Sequence, residues 1–227
     1  MSQFFNDEAS KSYDEKNSKL AAISDNLHFL IRLILKDLPA RARILCVGVG
    51  TGAEILSLAK EYPEWTFLGL DPSEGMLKVC RERLTQAGVM NRCELKQGYV
   101  QDAPLGENFD AALSVLVAHF VPRTERLEFF QNMSSRLKKG GYLLNAEISF
   151  DLNSKEFLSM VNNWAKVQVL MGGDPEKINA ILPQTLKDVL SVLSPKETQT
   201  LLQQAGIPLP VQFFQAFMIA AWYGKKD

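Results

Sequence analysis

Apolar residues recur every three or four positions in the first part of the chain. Leu20, Ile23, Leu27, Leu30, Ile31 and Ile34 share one face of a helix predicted over 17–36, which Pro39 ends. The period then shortens. A continuous apolar run over 43–47 reads as a buried strand, and a helical pattern over 53–61 follows it. A second strand over 66–70 ends in Asp71-Pro72-Ser73 and is followed by a helix to Ala87. A short strand over 92–97, a loop over 98–108 and a strand over 110–115 come next. The helix predicted over 123–137 carries Leu127, Phe130 and Met133 on one face, and Gly140-Gly141 open a strand over 142–146. Strands alternating with helices imply right-handed crossovers and a parallel sheet covered on both faces.

After residue 154 the pattern changes to a helical insertion running to about 192, interrupted at Gly172-Gly173 and by Pro183. A last helix over 195–205 precedes apolar runs at 211–214 and 218–223, which are close enough to pair as an antiparallel hairpin although no strong turn dipeptide separates them. The expected organisation is a helical lid (1–40), a ligand-binding α/β core (41–150), an insertion forming an acceptor pocket or a dimer interface (151–193), and a final helix and hairpin completing the sheet (194–227). Phe150, Phe157, Met160, Trp164 and Met171 give the insertion an apolar face, read as ordinary packing or as an aromatic-lined pocket. Phe213, Phe214, Phe217 and Trp222 are expected in the sheet core.

Composition narrows the class without choosing a function. With 46% hydrophobic residues in 227, a substantial core is available. A net charge of −1 leaves no global electrostatic footprint for nucleic acid. Cys46, Cys80 and Cys93 lack metal-ligand spacing and leave an odd thiol, which points to a reducing cytoplasm and to no metal site. No apolar run reaches membrane-spanning length, and the first residues lack the basic start of a signal peptide.

The candidate chemistry begins at Ile44-Leu45-Cys46-Val47-Gly48-Val49-Gly50-Thr51-Gly52-Ala53. A strand running into a glycine-spaced turn and a helix lets backbone approach an adenosyl cofactor closely. The spacing alone serves both hydride-transfer and methyl-transfer enzymes. Asp71, nineteen residues beyond Gly52, can accept both ribose hydroxyls or cap the helix that Pro72 opens. His119 follows the strand over 110–115 and is one of only two histidines. It suits a general base, or a loop residue that closes over the cofactor or caps a turn. His28 lies within an apolar helical face and reads as structural.

Gly48 to Gly52, then Phe67-Leu68-Gly69-Leu70-Asp71-Pro72-Ser73, then Leu137-Lys138-Lys139-Gly140-Gly141-Tyr142-Leu143 resemble the class I S-adenosylmethionine-dependent methyltransferases, as does the lead-in Phe5…Ala9…Tyr13-Asp14. The antiparallel finish is that superfamily's usual one. Gln203-Gln204-Ala205-Gly206-Ile207 and Phe214-Gln215-Ala216-Phe217 more narrowly resemble the carboxy-S-adenosylmethionine synthases of tRNA-uridine modification. The resemblance implies S-adenosyl-L-methionine as cofactor. Gly48, Gly50 and Gly52 would cradle its methionyl-ribose portion, and Asp71 with Pro72 would hold the ribose. Ser114 and Tyr13 would approach the methionyl end, with a backbone-bonded hydroxyl and a packing tyrosine as their plainer readings. The partner is a small-molecule acceptor, near His119, Tyr13 and the insertion. The synthases are homodimers that use prephenate as carboxyl donor, so a homodimer is expected.

The chain departs from these patterns at three places. Cys46 stands where the superfamily usually has an acid, and a buried thiol does not supply that charge. Gly98-Tyr99 replaces the adenine-reading Gly-Asp; either Asp102 substitutes, or Tyr99 stacks while backbone at Val100 reads the base. No arginine follows Arg136, so nothing on or beside Thr200 and Leu201 can grip a carboxylated cofactor as the synthases do. Plain S-adenosylmethionine is therefore the favoured cofactor. A carboxy-cofactor synthase, a nicotinamide oxidoreductase and a non-catalytic cofactor-binding protein are the alternatives.

Overall fold

The computed structural model describes residue 15 and residues 18–106 and 108–227. The strand–helix alternation is realised as α1 (Ala21–Leu35), β1 (Arg43–Val47), α2 (Ala53–Glu61), β2 (Thr66–Asp71), α3 (Glu74–Gln86), β3 (Cys93–Gln97), β4 (Phe109–Val115), α4 (Arg126–Ser134) and β5 (Leu137–Ile148). There follow α5 (Phe157–Leu170), α6 (Pro175–Gln184), α7 (Pro195–Gln204), β6 (Val211–Ala216) and β7 (Ile219–Lys225). The seven strands lie in the order β3-β2-β1-β4-β5-β7-β6. The first five pair in parallel and the last two antiparallel, so the expected α/β architecture, mostly parallel with a C-terminal antiparallel hairpin and a helical insertion, is the observed one.

β1 shows why the sheet holds. Leu45 and Val47 point into one core with Phe129, Phe130, Leu202 and Trp222, whereas Ile44 and Cys46 point into the other with Leu27, Ile31 and Ile55. A strand buried on both faces needs a continuous apolar run, and Ile44 to Val47 supplies it. The order reverses between β1 and β4, so their carboxyl ends diverge and leave a crevice there.

Several expected boundaries move. The helix ascribed to 123–137 is confined to Arg126–Ser134, because residues 122–125 form a turn in which the Glu125 N–H donates to the Pro122 carbonyl. β5 starts at Leu137, before the glycine pair, with an irregularity where Phe109 faces Leu137 and Ala111 faces Tyr142. Pro183 does not interrupt α6 but lies inside its last turn, and a π turn follows over Thr185–Val189. Phe217 is not core. It sits in the two-residue hairpin turn at φ +51° and is 45% exposed, while its neighbour Met218 is fully buried. Phe213 and Phe214 are partly buried at the sheet edge, and Trp222 is fully buried.

The insertion forms a third core in which Phe157, Val161 and Trp164 meet Met218 and Ile219 of the hairpin. Its C-terminal end is tied back by polar contacts. The Ser191 N–H donates to the His119 carbonyl (2.9 Å), and Ser149 Oγ donates to the Leu193 carbonyl (2.8 Å). Arg126 is fully buried, pairs with Glu147, and donates to the carbonyls of Val121 (3.1 Å) and Ser191 (2.8 Å). Thr198 Oγ1 completes the carboxylate's shell at 2.7 Å. Burial pushes the Glu147 carboxyl up and the Arg126 guanidinium down, and their mutual attraction opposes both.

Candidate functional site

The turn after β1 is built from three left-handed residues: Gly48, Gly50 and Gly52 at φ +65°, +52° and +83°. A Cβ on Gly48 would lie 2.3 Å from Val117 Cγ2, so β4's extension closes directly over that position. A Cβ on Gly50 would meet nothing within 4 Å. One glycine is therefore required by packing, and the other leaves open space beside the backbone.

Asp71 fixes this loop from β2. Its Oδ2 accepts the Gly50 N–H (2.9 Å) and its Oδ1 accepts the Ser73 N–H (2.8 Å). Burial raises its carboxyl pKa, and the two N–H bonds pull it back. Each oxygen keeps a second lone pair for a hydroxyl. The helix-capping alternative belongs to Ser73, whose Oγ accepts the Met76 N–H.

Two clefts open at this end of the sheet and share Gly48. The first, about 360 Å³, is lined by Val47, Pro72, Tyr99, Val100, Val117 and Phe129 among others. The second, about 760 Å³, lies between α1, the glycine loop and the ends of β4 and β7; His28, Gly50, Thr51, Glu54, Leu116 and Ile219 line it. Tyr99 is 46% exposed at the mouth of the first cleft. Asp102 is not on the wall of either cleft. Its carboxylate turns back to accept the Tyr99 N–H (2.8 Å), and its carbonyl accepts from Lys96 Nζ (2.7 Å), so it shapes the Tyr99–Val100 segment.

Three other expected residues are placed differently from one another. Ser114 is fully buried within β4, and its hydroxyl has no hydrogen-bond partner among the described residues. His119 is 3% exposed and lines neither cleft; its Nδ1 accepts the Ile148 N–H (3.3 Å). Burial, with the charge of Arg126 adding to it, lowers its pKa to about 3. Tyr13 lies outside the described residues.

Two features of the second cleft escaped the sequence reading. Leu116 takes φ +58° as β4 ends, with its N–H donated to the Ala146 carbonyl (2.7 Å). A left-handed leucine is unusual and marks a turn held by its surroundings; leucine itself gives no signal of it. Glu54, two residues past the last loop glycine, lies beside His28, with Nε2 3.6 Å from its Oε1 and both side chains 14% exposed. Its position directly after the loop was the available signal.

Residues 44–141 match the methyltransferase domain family. Over 194 residues the chain is 23% identical to a carboxy-S-adenosyl-L-methionine synthase from Campylobacter hominis, covering 86% of this chain and 81% of that one. It is 35% identical over 139 residues to a demethylmenaquinone methyltransferase from Listeria monocytogenes, covering 59% of this chain and 56% of the other. Among solved structures, an S-adenosylmethionine-dependent methyltransferase from Thermotoga maritima superposes with a TM-score of 0.58 at 20% identity, covering 96% and 98% of the two chains.

Proposed function

Because the chain belongs to the class I S-adenosylmethionine-dependent methyltransferase superfamily, we propose that it methylates a small-molecule acceptor held in the second cleft. The observation that carries this reading is the meeting of the two clefts at Gly48. A ligand spanning both must pass its middle over the glycine loop, beside the open direction at Gly50 and the carboxylate of Asp71.

The residues present fit S-adenosylmethionine. Asp71 would receive the ribose hydroxyls, Tyr99 and Val100 with Pro72 would flank the adenine, and the loop backbone would admit the methionyl end without a Cβ in the way. Bound there, the cofactor supplies an electrophilic methyl group on a sulfonium. The chain's own contribution is then to position and to exclude water, because displacement at a methyl needs alignment first. Val117, Phe129 and Val121 exclude water from the first cleft, and Leu116, Ile219 and Leu27 do so in the second. We assign His119 a positioning role. Its Nδ1 holds the start of the Ile148 segment and its carbonyl anchors the insertion at Ser191. Isothermal titration with S-adenosylmethionine tests the assignment. Saturable binding with no response to a nicotinamide cofactor is expected, and the reverse result overturns it.

One observation favours the second reading, a carboxy-S-adenosylmethionine synthase: the match to such a synthase runs along 86% of the chain. Against it, α7 has no arginine, and Thr200 Oγ1 is already donated to the Lys196 carbonyl of its own helix. Mass spectrometry of ligand retained through purification separates the two by the mass of one carboxyl group. A homodimer is supported by the apolar residues the insertion exposes, Leu158, Leu170, Ile181 and Val189, and light scattering checks it. A cytoplasmic location is supported by the three free cysteines.

A further inference from the structure

The base of the glycine loop is electrically neutral in this chain. Cys46 is buried at 2% exposure, and burial, reinforced by the nearby charge of Glu54, pushes its thiol pKa well up. Yet a methionyl end carries an ammonium group that needs an anion when it leaves water. The second cleft, where that end would emerge after passing Gly48, contains two carboxylates, Asp25 and Glu54. Asp25 is exposed on α1. Glu54 is the sheltered one, set in the first turn of α2 directly beyond Gly52.

The other charged groups of this cleft are committed to the protein. Arg32 donates to Ser57 Oγ (2.6 Å), and Arg83 donates to the carbonyl and Oγ1 of Thr51 (3.0 and 2.8 Å). Glu54's one ion-pair partner among the described residues is His28, at 3.6 Å, too long for a hydrogen bond. Its carboxylate thus retains acceptor capacity toward the cleft, at the N-terminal end of α2 beside the glycine loop.

We propose that Glu54 is the specificity residue for the ammonium group of the cofactor's amino-acid end, supplying from α2 the negative charge that β1 lacks at Cys46. The inference rests on the cofactor reading above and assigns this chain a charge displaced from strand to helix. Recognition of the amino acid then belongs to the second cleft, and recognition of the nucleoside to the first.

Calorimetry on the full chain tests this with two probes that differ only in the amino-acid end: S-adenosylhomocysteine and 5′-methylthioadenosine. Glu54→Gln is expected to weaken S-adenosylhomocysteine by about tenfold or more, as for a hydrogen bond to a charged group, and to move methylthioadenosine less than about twofold. Glu54→Asp should recover part of the loss, and Asp25→Asn should leave both probes unchanged. Equal weakening of the two probes, no weakening, or a selective loss in Asp25→Asn instead would overturn the proposal while leaving the cofactor reading intact. Failure of the wild-type chain to bind either probe would overturn both. Should Glu54→Gln not fold, the wild type is titrated with the des-amino analogue of S-adenosylhomocysteine. A tenfold deficit supports the assignment, and parity with the parent compound sinks it.

Discussion

The two clefts that meet at Gly48 are built by different means. The smaller is made by the segments that follow successive strands: the turn after β1, Pro72 after β2, Tyr99–Val100 after β3, and the stretch from Val117 into α4 after β4. The larger is made by side chains far apart in sequence, from His28 on α1 to Ile219 on β7. A site formed by backbone turns leaves glycines and a proline in the chain at fixed spacings. A site formed by packed side chains leaves ordinary residues whose meeting depends on the whole fold. Perturbations should therefore separate into those that strike both clefts through shared backbone and those that strike one.

The largest effect is expected at the seam between the core and the insertion. Arg126 ties Val121, on the wall of the first cleft, to Ser191 of the insertion while neutralising a fully buried Glu147. Arg126→Met would strand that carboxylate, at a cost of about 3–5 kcal/mol in unfolding free energy. Adding Glu147→Gln should return part of it, because the uncompensated charge is then gone. Urea denaturation of the single and double variants measures both, and a single variant within about 1 kcal/mol of wild type would show that the pair holds neither cleft.

Asp71→Ala should cost about 2–3 kcal/mol of cofactor binding. It would remove the acceptor proposed for ribose and also free the Gly50 N–H that Asp71 holds at 2.9 Å. Because ribose is common to both probes, S-adenosylhomocysteine and methylthioadenosine should lose affinity equally. A loss confined to one of them would mean that Asp71 serves a single cleft. At Gly48, which both clefts share, alanine would meet Val117 at 2.3 Å and force a left-handed residue. Stability should fall by more than the roughly 1–2 kcal/mol that such a conformation alone costs, visible as a lower melting temperature.

How much of this was legible follows the same division. The sheet, its antiparallel finish, the glycine loop and Asp71 were readable because Gly48, Gly50 and Gly52 interrupt an apolar run and Asp71-Pro72-Ser73 interrupts the next. Gly140-Gly141 mark the start of β5 five residues late, whereas Lys138, paired with Asp110 at 2.8 Å, and the exposed Lys139 are already strand residues. His119 stands out as a histidine after a strand, but the returning insertion donates its Ser191 N–H to the His119 carbonyl and the charge of Arg126 helps lower its pKa, tertiary effects that no local pattern encodes. His28 and Glu54 looked like a structural histidine and a helix-start acid. Their approach across the second cleft is a tertiary event.

His119 offers a pH test of its positioning role. Its folded-state pKa is lowered from the ordinary 6.5 to about 3, so below pH 6.5 the unfolded chain takes up a proton that the folded protein does not. Its contribution to stability is complete above about pH 6.5 and is lost as pH falls toward 3. Replacing it by glutamine should remove a slope of up to about 1.4 kcal/mol per pH unit from that window. Denaturation midpoints followed from pH 7 to pH 4 give the comparison, and an unchanged slope would mean that the imidazole titrates as if exposed.

The smallest effect on stability, and the sharpest contrast with Gly48, is expected at Gly50. Its φ of +52° makes alanine unfavourable by roughly 1–2 kcal/mol, but the added methyl meets nothing within 4 Å. The fold should tolerate it with a modest fall in melting temperature. The methyl would, however, occupy the open direction that the loop presents beside Asp71, so the binding loss for S-adenosylhomocysteine should exceed the stability loss. At Gly48 stability should fall at least as far as affinity, because the clash there is with the protein itself. If Gly50→Ala binds the probe like wild type, the open space beside the loop is not where the cofactor's backbone-facing edge rests, and the route joining the two clefts runs elsewhere than over Gly50.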